Sequence, residues 1–123
     1  MKISFTLYCS DLEVSFGFYQ KVFNLENQTL INKTKAFFVP IDNHIELKIS
    51  TLEKPLNKTN IEINEVAVDE IYDTLVKNQL PRTNESDPMK MSSGTFSGPW
   101  DFPGGNALFL IDPDGHFIVF TEW

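Results

Sequence analysis

Residues 2–9 alternate in character: Ile3, Phe5, Leu7 and Cys9 fall on one side, Ser4, Thr6 and Tyr8 on the other. A period of two predicts a strand with one buried face. Ser10-Asp11-Leu12-Glu13 follows and reads as a capping box, with the Ser10 hydroxyl accepting from a backbone N–H three residues on and Glu13 reaching back. Leu12, Phe16, Tyr19 and Phe23 then make one apolar stripe at helical spacing, predicting a helix that stops near Asn24.

Three strands are expected between residues 26 and 50. Asn32-Lys33 separates the first two, and Asp42-Asn43 turns the chain into His44-Ile45-Glu46-Leu47-Lys48-Ile49, which alternates strictly. A polar stretch containing Pro55 reads as a linker at about 52–60. The pattern then restarts. Ile61 and Ile63 alternate with Glu62 and Asn64, and Val68, Ile71, Tyr72, Leu75 and Val76 predict a helix over 68–78, stopped by Pro81. Residues 82–102 show no regular pattern, being broken by Pro88, Gly94, Gly98 and Pro99. Near the end, two apolar runs, 107–111 and 117–120, flank Asp112-Pro113-Asp114-Gly115. Proline presets φ at the second turn position and glycine closes the turn with positive φ, so the runs form an antiparallel hairpin. Both runs are apolar on nearly every residue. One face then meets a helix, and the other lines a sheltered cavity.

A shift of 56 positions lays Phe5 on Ile61, Leu7 on Ile63, Leu12 on Val68, Phe16 on Tyr72 and Tyr19 on Leu75. The reading is therefore an α+β fold: one domain over 1–123, built from two β-α-β-β-β modules at about 1–51 and 61–123, with the helices on the outer side of a cupped mixed sheet. Alternation also assigns faces. With Ile3, Phe5, Leu7, Ile45, Leu47, Ile61, Ile63, Ile118 and Phe120 turned to the helices, Ser4, Thr6, Tyr8, Glu46, Asn60, Glu62, Val119 and Thr121 point into the cup.

Composition narrows the function. A net charge of -7 without a basic stripe excludes general nucleic-acid binding and leans toward a neutral or cationic small ligand. No apolar run is long enough to span a membrane, no signal-like stretch opens the chain, and the single Cys9 has no disulfide partner within it, so a cytoplasmic protein is expected. Short open sheets with apolar strands leave edges and faces that a second copy would cover, and a homodimer is expected.

The string Leu7-Tyr8-Cys9-Ser10-Asp11-Leu12-Glu13, then Phe18-Tyr19, and the closing Asp112-Pro113-Asp114-Gly115 before an apolar strand together resemble the vicinal-oxygen-chelate superfamily. That group includes glyoxalase I, extradiol dioxygenases, fosfomycin-resistance transferases and bleomycin-resistance binding proteins. The resemblance implies paired modules, usually completed in a homodimer, and in the metalloenzymes a divalent ion held by side chains from the first and fourth strands of each module. Those positions fall here on Ser4, Glu46, Asn60 and Val119. Only Glu46 is a strong donor for a hard or borderline cation, and a valine donates nothing. No metal and no other cofactor is expected.

The remaining candidates are few. His116 after the turn reads as a solvated turn residue, and His44 can join Glu46 in a two-ligand site or simply sit at a strand edge. Cys9, on the helix-facing side, reads as an inert buried thiol. Glu46 and Glu62 would form an acid/base pair only if both faced the cup; otherwise they are solvated strand residues. Gly104-Gly105 precedes a strand, not a lysine-bearing helix, and is no phosphate loop. Trp100 and Phe102, in the Pro/Gly-rich stretch 97–104, either stack over a pocket mouth or pack under the loop or across a dimer. The expected function is metal-free binding of a small aromatic or cationic molecule by Ser4, Thr6, Tyr8, Glu46, Asn60, Glu62, Trp100, Phe102, Val119 and Thr121, with no catalytic residue. The alternative is a glyoxalase- or dioxygenase-like metalloenzyme with an atypical site.

Overall fold

The computed structural model describes residues 1–23, 25, 35–52, 58–83, 87 and 94–123. The fold is α+β, and the described residues form two helices and two mixed sheets of three and four strands. Contacts divide it into two compact units, Met1–Lys58 and Thr59–Trp123.

The first unit runs β1 (Ile3–Tyr8), α1 (Leu12–Phe23), β2 (Ala36–Pro40) and β3 (Ile45–Ser50), in sheet order β1-β3-β2. The strand expected before Asn32 lies outside the described residues. β1 pairs parallel with β3, Ser4 opposite Glu46 and Leu7 opposite Ile49, while β2 runs antiparallel to β3. Leu7, Cys9, Val39, Leu47 and Ile49 are fully or almost fully buried, and the Phe16 and Tyr19 rings of α1 close on Phe37 at 5.3 and 6.0 Å. The β2–β3 turn is tied by Asp42, whose Oδ1 accepts from the His44 and Ile45 N–H groups at 2.7 Å each. Those two donors, His44 first, hold the Asp42 carboxyl below the usual carboxylate range.

Two expectations are corrected here. The helix starts at Leu12, so its cap is Asp11, not Ser10: Asp11 Oδ1 accepts from Val14 N at 3.1 Å, the geometry of an N-cap with its third helical residue. Ile3 and Phe5 lie on the helix-facing side but are not covered, remaining 49% and 52% exposed. The reason is placement: α1 packs over β2 and β3, and β1 stands at the sheet edge beyond it.

The second unit runs β4 (Asn60–Ile63), α2 (Val68–Lys77), β5 (Phe96–Phe102), β6 (Gly105–Ile111) and β7 (Phe117–Glu122), in sheet order β4-β7-β6-β5. β4 and β7 are parallel and the other pairs antiparallel. Val68, Leu75, Phe96, Leu108, Leu110, Ile118 and Phe120 are buried between α2 and the sheet. The first N–H of α2 is capped from another element: Glu122 Oε1 of β7 accepts from Val68 N at 3.2 Å, placing a carboxylate at the positive end of the helix. Its other end closes as a Schellman turn, with Gln79 at φ 60, Gln79 N donating to Val76 O and Leu80 N donating to Leu75 O. Pro81 follows a helix already stopped.

A third correction concerns residues 96–102, read from sequence as irregular. They form β5, with a cis Gly98–Pro99 bond and a shift of register between Ser97 and Trp100. Proline and glycine are accommodated in this edge strand by the irregularity, which their sequence signature could not distinguish from a loop.

Candidate functional site

The 112–115 turn forms as predicted. Gly115 takes φ 85 and donates to Asp112 O, and Asp112 Oδ1 accepts from Asp114 N and His116 N. His116 is not a solvated turn residue. It is 2% exposed, and its Nδ1 accepts from Thr59 N at 3.0 Å, while Phe117 N donates to Thr59 O. The imidazole thus ties the chain entering β4 to the start of β7. The hairpin spacing alone could not show this, because the partner lies 57 residues earlier.

β7 pairs on both sides, and its register fixes which side chains share a face. Glu62 stands opposite Val119 and Val119 opposite Phe109; Thr121 stands opposite Ala107 and Ala107 opposite Trp100. Ile118 and Phe120 turn to the core, so Phe117, Val119 and Thr121 turn away from it. On that second face an open cavity of about 320 Å³ is lined by Glu62, Phe102, Ala107, Phe109, Val119, Thr121 and Trp123. Ala107 makes room for it, a small side chain among large rings. Gly105, at φ 148, lets the β5–β6 turn close against β7; a Cβ there would collide with the backbone O of Glu122. The Phe102 ring stands edge-to-face with Phe109 at 6.4 Å and with Trp123 at 6.3 Å.

Four of the residues read from the sequence, Glu62, Phe102, Val119 and Thr121, are brought together in this cavity. Thr121 is fully buried and its hydroxyl donates to Asn64 Oδ1, so it contributes floor and not a free polar group. Asn60 is exposed at the start of β4, opposite Phe117. Trp100 shares the strand with Phe102 but does not line the cavity; its Nε1 donates to Ser97 Oγ at 3.2 Å. Ala107, Phe109 and Trp123 were not singled out from the sequence. The signal was available, since counting back from the turn sets Phe109 opposite Val119, and Trp123 lies two residues beyond Thr121.

Ser4, Thr6, Tyr8 and Glu46 belong to the first unit. They share a face of its sheet by alternation, with Ser4 and Thr6 exposed and Tyr8 and Glu46 half-buried. The Glu46 carboxylate is already engaged: Ser4 Oγ donates to Oε1 at 2.8 Å, and Lys2 Nζ lies 3.8 Å from Oε2. With Lys2 58% exposed, that ion pair adds little. His44 is exposed and precedes β3. Among the described residues no three His, Cys, Asp or Glu side chains are placed to share a metal ion. The donor set does not fit the divalent ion of the metalloenzymes: Val119 has no donor, Ser4 is spent on Glu46, and Asn60 offers a neutral amide. Among the described residues no helix is long and apolar enough to cross a membrane.

No family model matches the sequence, and no curated protein matches it at significance. Solved structures do match over the whole chain. A glyoxalase/bleomycin resistance protein from Catenulispora acidiphila superposes with a TM-score of 0.69 at 14% identity, covering 100% of this chain and 98% of that one. A bleomycin-binding protein complexed with bleomycin gives 0.65 at 14% identity, covering 100% and 98%. Lactoylglutathione lyase from Agrobacterium tumefaciens gives 0.66 at 15% identity, covering 99% and 92%. The chain has the fold of these glyoxalase and bleomycin-binding structures, one a binding protein and one an enzyme; likeness at this identity establishes architecture and not activity.

The His116 tie yields a stability prediction. His116→Leu keeps the bulk but leaves the half-buried Thr59 N–H without its acceptor, a loss of about 0.5–1.5 kcal/mol. Urea unfolding of the variant is expected to show a lower midpoint by that free energy with an unchanged slope. An unchanged midpoint would show that the bond contributes nothing.

Proposed function

We propose that this protein binds a small aromatic or cationic molecule without the help of a metal, and that the cavity on the second unit holds it. The observation that carries the reading is the lining itself: three aromatic rings, an alanine, a valine and a threonine, with the exposed Glu62 carboxylate on the edge strand, in a volume at the lower end of the small-molecule range. Apolar walls supply affinity by shedding water, and a single polar group sets orientation. The bleomycin-binding neighbour supports the reading by showing the fold in a binding role. The lyase neighbour favours an enzyme reading less, because the resemblance ties the enzymes of this group to a metal and among the described residues no three metal-binding side chains are placed together.

The test is a neutral fluorescent probe, N-phenyl-1-naphthylamine. The wild-type protein is expected to bind it with saturable fluorescence enhancement. Val119→Trp fills the cavity from the middle of β7 and is expected to weaken binding by at least about tenfold while leaving circular dichroism unchanged. Equal binding by a folded Val119→Trp would move the site elsewhere.

The homodimer expected from the sequence is part of the proposal. It is supported by Ile3 and Phe5, two large apolar side chains half-exposed on the edge strand of the first sheet. Light scattering is expected to give twice the chain mass, falling to the single-chain mass in Phe5→Lys. A single-chain mass for the wild type at all concentrations would remove the dimer from the account.

A further inference from the structure

The cavity separates the two ligand classes. Among the described lining side chains Glu62 is the charged one; it is exposed at the edge of the cavity, and among the described residues no cation or hydrogen-bond donor engages its carboxylate. Glu46 differs in this respect, being held by Ser4 and Lys2. The Thr121 hydroxyl is spent on Asn64, which leaves Glu62 as the polar group free to meet a ligand. Glu62 is an acceptor only when ionised, so it attracts a cation or a donor and repels an anion.

The rings select by shape. Phe102 meets Phe109 at an interplanar angle of 75° and Trp123 at 80°, and in both pairs the rings already touch. A slot for a flat aromatic guest needs two parallel rings with a gap between them, and neither contacting pair offers one. Rings set nearly at right angles form the walls of a corner instead. Such a corner suits a rounded guest better than a flat one, and a cation that reaches a ring centroid is attracted by the ring quadrupole. Phe109 and Val119 close the adjacent side, with Glu62 standing across from Val119 on β4.

We propose, resting on the assignment of this cavity as the binding site, that its ligand carries an alkylammonium head, received by the Phe102, Phe109 and Trp123 rings with Glu62 as counter-ion. The head is bulky and weakly hydrated, a quaternary or tertiary amine, because apolar walls cannot replace the water of a primary ammonium. The acidic balance of the chain, -7, acts in the same direction by raising the local concentration of cations.

The experiment is displacement of N-phenyl-1-naphthylamine from the full chain by three probes of matched size: phenyltrimethylammonium, its uncharged isostere tert-butylbenzene, and benzenesulfonate. The cation is expected to displace at a concentration at least about tenfold below that of the isostere, and the sulfonate not to displace. In Glu62→Gln the cation is expected to fall to within about threefold of the isostere, both read against the naphthylamine affinity measured for that variant itself. Equal displacement by cation and isostere, or displacement by the sulfonate, would overturn the alkylammonium assignment and leave the cavity standing as a binding site. A cation preference that survives Glu62→Gln would overturn the role of Glu62. Failure of the folded wild type to bind either the naphthylamine or, by direct calorimetric titration, phenyltrimethylammonium would remove the site itself.

Discussion

The structure of the second unit depends on the register of β7. Its first four residues pair parallel to β4 on one side, all six pair antiparallel to β6 on the other, and successive side chains go to opposite faces. Ile118 and Phe120 are consumed by the core under α2, which forces Val119 and Thr121 to the other side. A slip of one residue would exchange the two sets and put Thr121 and Val119 under the helix. Two local devices hold the register. The Asp112 carboxylate fixes the turn before the strand, and His116 binds the strand start to Thr59. Glu122, at the far end, caps α2 and so ties the same strand to the helix it covers. The cavity is a consequence of these constraints. Apolar residues that the core cannot use collect on the second face, with Ala107 leaving the space.

The first unit obeys the same alternation with a different outcome. Its second face carries Ser4, Thr6, Tyr8 and Glu46, and there the carboxylate is satisfied from within the sheet by the residue paired with it in register. The equivalent strands of the second unit pair Glu62 with Val119, which has nothing to donate. Two modules of one plan therefore carry a quenched carboxylate in one case and an available one in the other. The chemistry follows from which neighbour each glutamate was given.

Much of this was legible in the sequence, for identifiable reasons. Strict alternation in residues 2–9 and 44–49, the two helical stripes and the Asp112–Gly115 turn are local patterns, and each became the expected element. The face assignment of Glu62, Val119 and Thr121 followed from period two alone. What failed depended on partners distant in the chain or on competing local signals. Ser10 and Asp11 are both good caps, and one residue of phase decided for Asp11. Residues 96–102 contain the glycine and proline of a loop, yet pairing with β6 makes them a strand. The burial of His116 and the exposure of Ile3 and Phe5 depend on what covers each position, which no periodicity reports.

The central claim is that β7 presents Val119, and not its neighbour Ile118, to a bound small molecule. Methyl-resolved NMR of isoleucine- and valine-labelled protein, titrated with N-phenyl-1-naphthylamine, addresses this claim directly. The account predicts saturable shifts of the Val119 methyls, with Ile118 in the core and Ile63, on the face of β4 opposite to Glu62, unmoved. Shifts confined to Ile118 and Ile63, with Val119 unmoved, would contradict it.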